Sequence, residues 1–222
     1  MTSTLVDDAT ALSGIVDVSR ETVERLDAFV TLLKKWQSST NLVAPSTLPS
    51  VWRRHIADCA QLVALFPNAQ KWVDLGSGGG FPGVVVAILL AGTKGGDVHL
   101  IESDQRKCAF LRQAIRQAGA PAEVHNGRIE TILAGWSRPV DMISSRALAP
   151  LARLFPLAEP LFAAGATAAF HKGLDFEAEI SEASKYWDAD LVIHKSKADS
   201  AGVILEVRSL TRKLAGSAGA SS

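Results

Sequence analysis

Apolar residues fall into two helical stripes before residue 70 and into a regular alternation of strand-like and helix-like runs after it. Val23, Leu26, Val30, Leu33 and Trp36 recur at the spacing of one helix face, Ser19 stands where an N-cap is needed, and Glu21 lies in the first turn. Ser38 to Asn41 ends that helix, and Asn41 to Pro49, with two prolines, reads as a loop. Ile56, Cys59, Val63 and Phe66 form the second stripe and predict one continuous helix from about Ser50 to Phe66.

From Lys71 on, strands are predicted near 71–75, 97–102, 122–126, 140–144 and 165–171, with helices near 82–91, 104–118, 129–135, 148–163 and 174–187. Such alternation implies a parallel sheet with right-handed crossovers. Two last strands, near 190–196 and 202–210, are joined only by Lys197 to Ala201, too short for a crossover helix, so they should form an antiparallel hairpin. The pattern divides the chain into a flexible tail 1–17, a helical extension 18–70, an α/β domain 71–214, and a flexible Ala/Gly/Ser tail 215–222.

Val73-Asp74-Leu75-Gly76-Ser77-Gly78-Gly79-Gly80-Phe81-Pro82-Gly83 closes the first of these strands and opens the helix after it. Glycines at 76, 78 and 80 let the backbone turn sharply and approach a ligand with no Cβ in the way. This is the pattern of a nucleotide-type cofactor loop at the carboxyl end of a first α/β strand. Gly78 to Gly83 also satisfies G-x-G-x-x-G, with Glu102 at about the dinucleotide distance. That register runs the strand through Gly76 and leaves Asp74 without a role, and its carboxylate would repel a pyrophosphate. A cationic ligand suits Asp74 better, which favours S-adenosylmethionine, with its ammonium and sulfonium, over NAD.

Composition narrows the setting. The chain has 222 residues, 47% of them hydrophobic, enough for one α/β domain with an extension. No apolar run reaches the length of a membrane span. Met1 to Asp8 has no basic segment of the kind that opens a secretory signal. Cys59 and Cys108 lie inside helical patterns without metal-ligand spacing, which predicts a cytoplasmic protein with no metal. Lys and Arg total 23, as do Asp and Glu, so nucleic acid would have to meet a local basic face rather than a basic protein.

The strand ends carry the candidate chemistry. Glu102 closes the second strand, where a carboxylate can accept both hydroxyls of a ribose, with Ser103 beside it and Asp104 as N-cap of the next helix. Gly127-Arg128-Ile129-Glu130 follows the third strand, where an adenine would reach. The fourth ends in Ile143-Ser144-Ser145-Arg146-Ala147, without the Asn/Asp-Pro-Pro-aromatic turn of exocyclic-amine methylation or the cysteine of pyrimidine C5 chemistry. An acceptor with its own lone pair, such as guanine N7, needs neither, and proximity and orientation would supply most of the rate. Arg146 follows that strand directly. It can meet guanine O6, a phosphate or the methionine carboxylate, or simply pair with Asp141. Lys172, at the end of the fifth strand, can hold phosphate or be a solvated strand-end lysine. Arg53-Arg54-His55, with Asp58 one turn beyond His55, reads as a substrate-facing edge or as a solvated turn with a local His–Asp hydrogen bond.

Arg54-His55-Ile56-Ala57-Asp58, the Asp74–Gly83 loop, Phe110-Leu111-Arg112-Gln113, Arg128-Ile129-Glu130, Ser145-Arg146-Ala147 and Lys172-Gly173 together resemble the RsmG (GidB) family of small-subunit ribosomal RNA methyltransferases, over about residues 41 to 210. The chain departs from the family pattern at Gly79, where proline is frequent, and at Cys59, where serine is common. The resemblance implies a class I S-adenosylmethionine-dependent methyltransferase fold: Rossmann-like, with a mostly parallel seven-stranded sheet, an antiparallel final hairpin and N-terminal helices. It implies methylation at N7 of a guanine in the decoding-region loop of 16S rRNA, with no metal. Between naked RNA and an assembled or assembling small ribosomal subunit, the neutral overall charge favours the subunit, and a monomer without membrane association is expected.

Family cofactor contacts fall on Gly76, Phe81, Ile129, Glu130 and Arg146. With the residues read above, the expected cofactor set is Asp74, Gly76, Ser77, Gly78, Phe81, Glu102, Ser103, Arg128, Ile129, Glu130 and Arg146. Arg146 is also expected to be catalytic, and Arg53, Arg54, His55 and Lys172 to face RNA. Two other readings remain, a class I methyltransferase of small molecules and an inactive RNA-binding module. Lys34-Lys35 and Arg53-Arg54 favour RNA over the first, and the intact glycine loop with Glu102 favours activity over the second.

Overall fold

The computed structural model describes residues 7–214. One seven-stranded sheet runs in the order β3-β2-β1-β4-β5-β7-β6. Its strands are β1 (Lys71–Leu75), β2 (Asp97–Glu102), β3 (Ala122–Asn126), β4 (Met142–Arg146), β5 (Thr167–Lys172), β6 (Trp187–Lys195) and β7 (Val203–Arg212). The first five are parallel, while β7 runs antiparallel to both β5 and β6, as the short 197–201 connection requires. The expected fold class, a Rossmann-like sheet with a reversed final hairpin, is the one observed.

Helices cover both faces, which is why the central strands β1 and β4 are buried on both sides. The period of two sorts each strand between two cores. Trp72, Val98 and Leu100 face α1 (Arg20–Gln37), α2 (Asp58–Leu65), α3 (Gly83–Leu89) and α4 (Gln105–Ala118). Val73, Leu75, Ile101 and Ile143 face α5 (Ile129–Leu133) and α6 (Leu151–Ala163), with α7 (Phe176–Ala183) at the rim. Ser19 caps α1 by accepting from Thr22 N at 3.1 Å, and Asp104 caps α4 by accepting from Arg106 N and Lys107 N.

Three expectations need correction. Residues 7–17 are not a loose tail: Leu12, in a 3-10 turn over Ala9–Leu12, is 2% exposed in the first core, and Asp7 accepts from Trp52 N and Arg53 N at 3.0 and 3.1 Å. Isolated propensity in this segment is weak, and docking supplies its order. The helix expected over 50–66 is a 3-10 turn (Pro45–Ser50), then a π-helical turn (Trp52–Ala57), then α2. That wide turn lacks a side-chain cap of its own, which is the need Asp7 fills. Finally, β4 extends to Arg146, so Ser145 and Arg146 belong to the strand and not to the loop after it. The expected tails at 1–6 and 215–222 lie outside the described residues.

Leu12→Ala should cost about 2–5 kcal/mol in urea unfolding, the range for a buried leucine truncated in a core. A loss under about 0.5 kcal/mol, typical of surface sites, would show that the segment does not dock.

Candidate functional site

After β1 the chain turns through Gly76 (φ +69°), Gly78 (φ +52°) and Gly80 (φ +86°), backbone angles that favour glycine. Gly76 N and Ser77 N both donate to Ile101 O at 3.0 Å, so the loop hooks onto β2 beside Glu102. Glu102 accepts from Gly78 N at 2.9 Å and from Asp104 N at 2.8 Å, one bond to each carboxylate oxygen. Each oxygen keeps a further lone pair for a ligand hydroxyl. A Cβ at Gly79 would stand 2.7 Å from Leu42 O, so the glycine at this family-variable position lets the 41–44 loop close against the turn.

A cavity of about 710 Å³ opens over this loop. It brings together Gly76, Ser77, Gly78, Phe81, Glu102, Ser103, Arg128, Ile129, Glu130 and Arg146, which is the expected cofactor set with one exception. That exception is Asp74. It is fully buried beneath the loop on the face of β1 that meets α3, accepting from Ser144 Oγ at 2.8 Å and from Gly83 N at 3.3 Å. Burial pushes its carboxyl up to about 6 against the opposing pull of the Ser144, Ser77 and Gly83 donors. A Cβ at Gly83 would stand 2.6 Å from Asp74 Oδ2, so the glycine is what lets α3 approach the sheet this closely. The inference that Asp74 selects a cationic ligand by direct contact therefore fails. Its task is to hold the loop to the helix and to β4.

A second cavity, about 720 Å³, adjoins the first and shares with it Leu42, Arg146, Ala147, Leu148 and Ala149. Ala147 holds a left-handed backbone (φ 55°), a conformation that costs a non-glycine residue about 1–2 kcal/mol. It directs Leu148 back over Gly76.

Arg146 dominates the shared wall. One Nη donates to His55 Nδ1 at 2.6 Å, the other to Arg54 O at 3.2 Å, and the guanidinium lies 5.0 Å from the centre of the Phe81 ring. His55 stacks on the same ring at 4.9 Å. Because arginine only donates, Nδ1 of His55 carries the lone pair and its Nε2–H donates to Thr47 Oγ1 at 2.7 Å. Burial, with the charges of Arg146 and Arg54 beside it, pushes the His55 pKa down to about 3. The alternatives to a functional reading, a local His55–Asp58 hydrogen bond and an Arg146–Asp141 pair, do not form. Asp58 Oδ1 accepts from Gln61 Nε2 and Ser196 Oγ, and Asp141 accepts from Gln70 N and Lys71 N.

The residues expected to face RNA separate. His55 is buried, and Arg54 pairs with Asp199 at 2.9 Å at the mouth of the second cavity. Arg53 is exposed on the opposite side of the turn, near Lys197. Lys172 is not a solvated cation: it donates to Ala149 O at 2.8 Å and to Glu179 at 2.7 Å, with its side chain 8% exposed. It braces the turn after β4, so a phosphate role does not follow.

Sequence reasoning missed Leu42, Lys107, Leu148, His171 and Asp199 as lining residues, and the only signal for any of them was proximity to a strand end. Away from both cavities, His99, Glu123 and His125 are the one group among the described residues close enough to hold a metal ion. Arg138, 2.6 Å from Glu123, already supplies a cation there.

The depressed His55 pKa sets a pH dependence. Below its ordinary value of 6.5 the unfolded chain takes up a proton that the folded chain refuses, so stability falls as pH falls towards about 3. The loss from this residue should reach about 2 kcal/mol by about pH 5. Urea unfolding at several pH values should therefore give a flatter acid limb for His55→Asn than for the unaltered chain. Parallel limbs would show that His55 is not held neutral.

Comparison with known proteins bears on the fold and the family. In the Bacillus cereus O-methyltransferase in complex with SAH the fold recurs at a TM-score of 0.56 and 16% identity, covering 90% of this chain and 96% of that one. For the O-methyltransferase TomG from Streptomyces achromogenes in complex with SAM the values are 0.56 and 14%, over 91% and 95%. The ribosomal RNA small subunit methyltransferase G of Bradyrhizobium sp. strain BTAi1 is 51% identical over 205 residues, 92% of each chain. That of Parvibaculum lavamentivorans is 49% identical over 206 residues, 92% of this chain and 91% of its own. The family model described as rRNA small subunit methyltransferase G matches residues 22–204, and on that match this chain belongs to the GidB family.

Proposed function

We propose that this chain transfers a methyl group from S-adenosylmethionine to N7 of a guanine in the decoding-region loop of 16S rRNA. It acts as a cytoplasmic monomer on an assembled or assembling small ribosomal subunit. Residues 71–214 form the methyltransferase domain and residues 18–70 a helical extension that walls the acceptor side. Family membership supports methyl transfer to small-subunit rRNA. Among the described residues, no helix is long and apolar enough to cross a membrane.

The observation that carries the N7 reading is the wall between the two cavities. Leu42, Arg146, Ala147, Leu148 and Ala149 offer no carboxylate, imidazole or thiol. An amine or hydroxyl acceptor must shed a proton, and the wall itself holds no group to take one; the Asp58 carboxylate and His171 imidazole stand farther along the second cavity. An aromatic nitrogen with its lone pair in the ring plane needs only to be placed.

The first cavity fits the methyl donor. Glu102 offers carboxylate lone pairs to ribose hydroxyls, Ile129 an apolar wall for a base, and the positive-φ glycines a backbone cradle. When bound, S-adenosylmethionine would be held at its ribose by Glu102 and at its base by Ile129, and would supply an electrophilic methyl group on sulfur to the acceptor nitrogen. The chain's own contribution is orientation. Phe81 and Leu42 exclude water, while Arg146 is fixed by His55 and the Arg54 carbonyl.

Mass-spectrometric mapping of 16S rRNA from a deletion strain, with and without the gene restored, should show one guanine gaining and losing a 7-methyl group. A methyl on another atom would overturn the reading. Arg146→Lys should fold but lose most activity, because one ammonium cannot reproduce the planar fork, and Arg146→Ala should lose nearly all of it. Near-normal rates for Arg146→Ala would remove that residue from the site.

Gly76→Val should weaken S-adenosylmethionine by about tenfold or more. Its Cβ would lie 2.6 Å from Leu148 Cδ1 at a φ of +69°, so both the strain and the displaced Leu148 disturb the cradle. Unchanged affinity in calorimetry, or NAD binding in place of the methyl donor, would sink the cofactor assignment.

A further inference from the structure

The second cavity carries a polar order that matches one base. Asp58 lines this cavity alone, and Arg146 lines both. Moving towards the glycine loop, the site thus offers an acceptor, then a donor, then the methyl-donor side. Guanine presents a donor at N1–H, an acceptor at O6 and the N7 lone pair in that order along its edge.

We propose that the second cavity receives the acceptor guanine turned out of its stack, and that Asp58 is the residue that selects it. Asp58 Oδ2 accepts from N1–H and the adjoining amino group, and Arg146 donates to O6. N7, the next atom along the edge, is left facing the glycine-loop cavity. This rests on the guanine-N7 function proposed above and adds the residue that reads the base.

Asp58 is built for the task. Its Oδ1 is occupied by Gln61 Nε2 at 3.1 Å and Ser196 Oγ at 3.0 Å, which fix the carboxylate plane. Its Oδ2 accepts no hydrogen bond from the described residues; the nearest cationic or imidazole nitrogens are Arg146 Nη1 at 3.6 Å and His171 Nε2 at 3.8 Å. The same cavity is lined by His171, 7% exposed, whose Nε2–H donates to Asp58 O at 3.0 Å. That tautomer leaves a lone pair on His171 Nδ1, a buried acceptor with no partner. A volume of about 720 Å³ is ample for an extruded nucleoside.

Charge makes the contact catalytic as well as selective. As N7 takes the methyl group, the purine becomes cationic and its N1–H more acidic, so the bond to the Asp58 carboxylate strengthens in the transition state. The Arg146 guanidinium opposes that charge, and the carboxylate beside it offsets the repulsion. Adenine inverts both contacts, setting the N1 lone pair against the carboxylate and an amino group against Arg146. Two unpaired polar contacts of this kind reject a base by roughly 10⁴-fold.

Asp58→Asn tests this while sparing the fold, since the amide oxygen still accepts from Gln61 and Ser196 and only Oδ2 becomes a donor. With small subunits from a strain lacking the modification, kcat should fall by about 100-fold or more, with cofactor affinity and the urea midpoint unchanged. In ligand-observed NMR with S-adenosylhomocysteine present, the unaltered protein should bind guanosine 5′-monophosphate over adenosine 5′-monophosphate, and Asp58→Asn should lose that preference. An undiminished kcat, equal response to both nucleotides in the unaltered protein, or a parallel loss of cofactor affinity and stability would each overturn the assignment, the last by making Asp58 structural. The two proposals fail separately. If the unaltered enzyme makes 7-methylguanine and Asp58→Asn does too at full rate, only the base-reading role falls. If the unaltered enzyme modifies another atom, the function itself falls.

Discussion

The site depends on a guanidinium held from three sides. Arg146 meets the ring of Phe81 from the glycine loop, and the imidazole of His55 and the carbonyl of Arg54 from the π turn, so two segments distant in sequence converge on one planar cation of β4. His55 is a neutral acceptor and the carbonyl is a dipole, while the Asp58 carboxylate forms an ion pair with the guanidinium at 3.6 Å, beyond hydrogen-bond distance. A cation placed this way keeps its charge for a ligand while its position is fixed, which is what an orientation-dominated reaction asks of a protein. Removing the convergence would separate the two cavities' common wall from the helical extension.

The glycine loop is supported by a buried carboxylate that lines neither cavity. Asp74 accepts bonds from β4 through Ser144 and from the first residue of α3 through Gly83. Desolvation outweighs those donors and raises its pKa to about 6. Its ionisation therefore costs stability as pH rises through the range of about 4 to 6, opposite in sign to His55, which costs stability as pH falls. The two buried groups thus place opposed pH demands on the fold. Lys172 serves the acceptor side similarly, tying the turn after β4 to Glu179.

The sequence determined the sheet, its order of helices and strands, the reversed hairpin and many of the residues that line the glycine-loop cavity. Those features follow from local rules: a period of two or 3.6, glycines where φ is positive, caps such as Ser19 and Asp104, and a connection too short for a helix. Glycine-loop and strand-end residues such as Gly76, Glu102 and Ile129 were legible because an open parallel sheet always delivers its strand ends to one edge. Tertiary structure alone decided which way each polar group faces and what it meets. Asp74 looked like a ligand contact and Lys172 like a phosphate contact, yet partners far away in sequence enclose both. Residues 7–17 looked frayed because their order comes from docking Leu12 and Asp7, not from propensity. Periodicity fixes the face on which a side chain lies, whereas the balance of desolvation against partners depends on segments that only folding brings together.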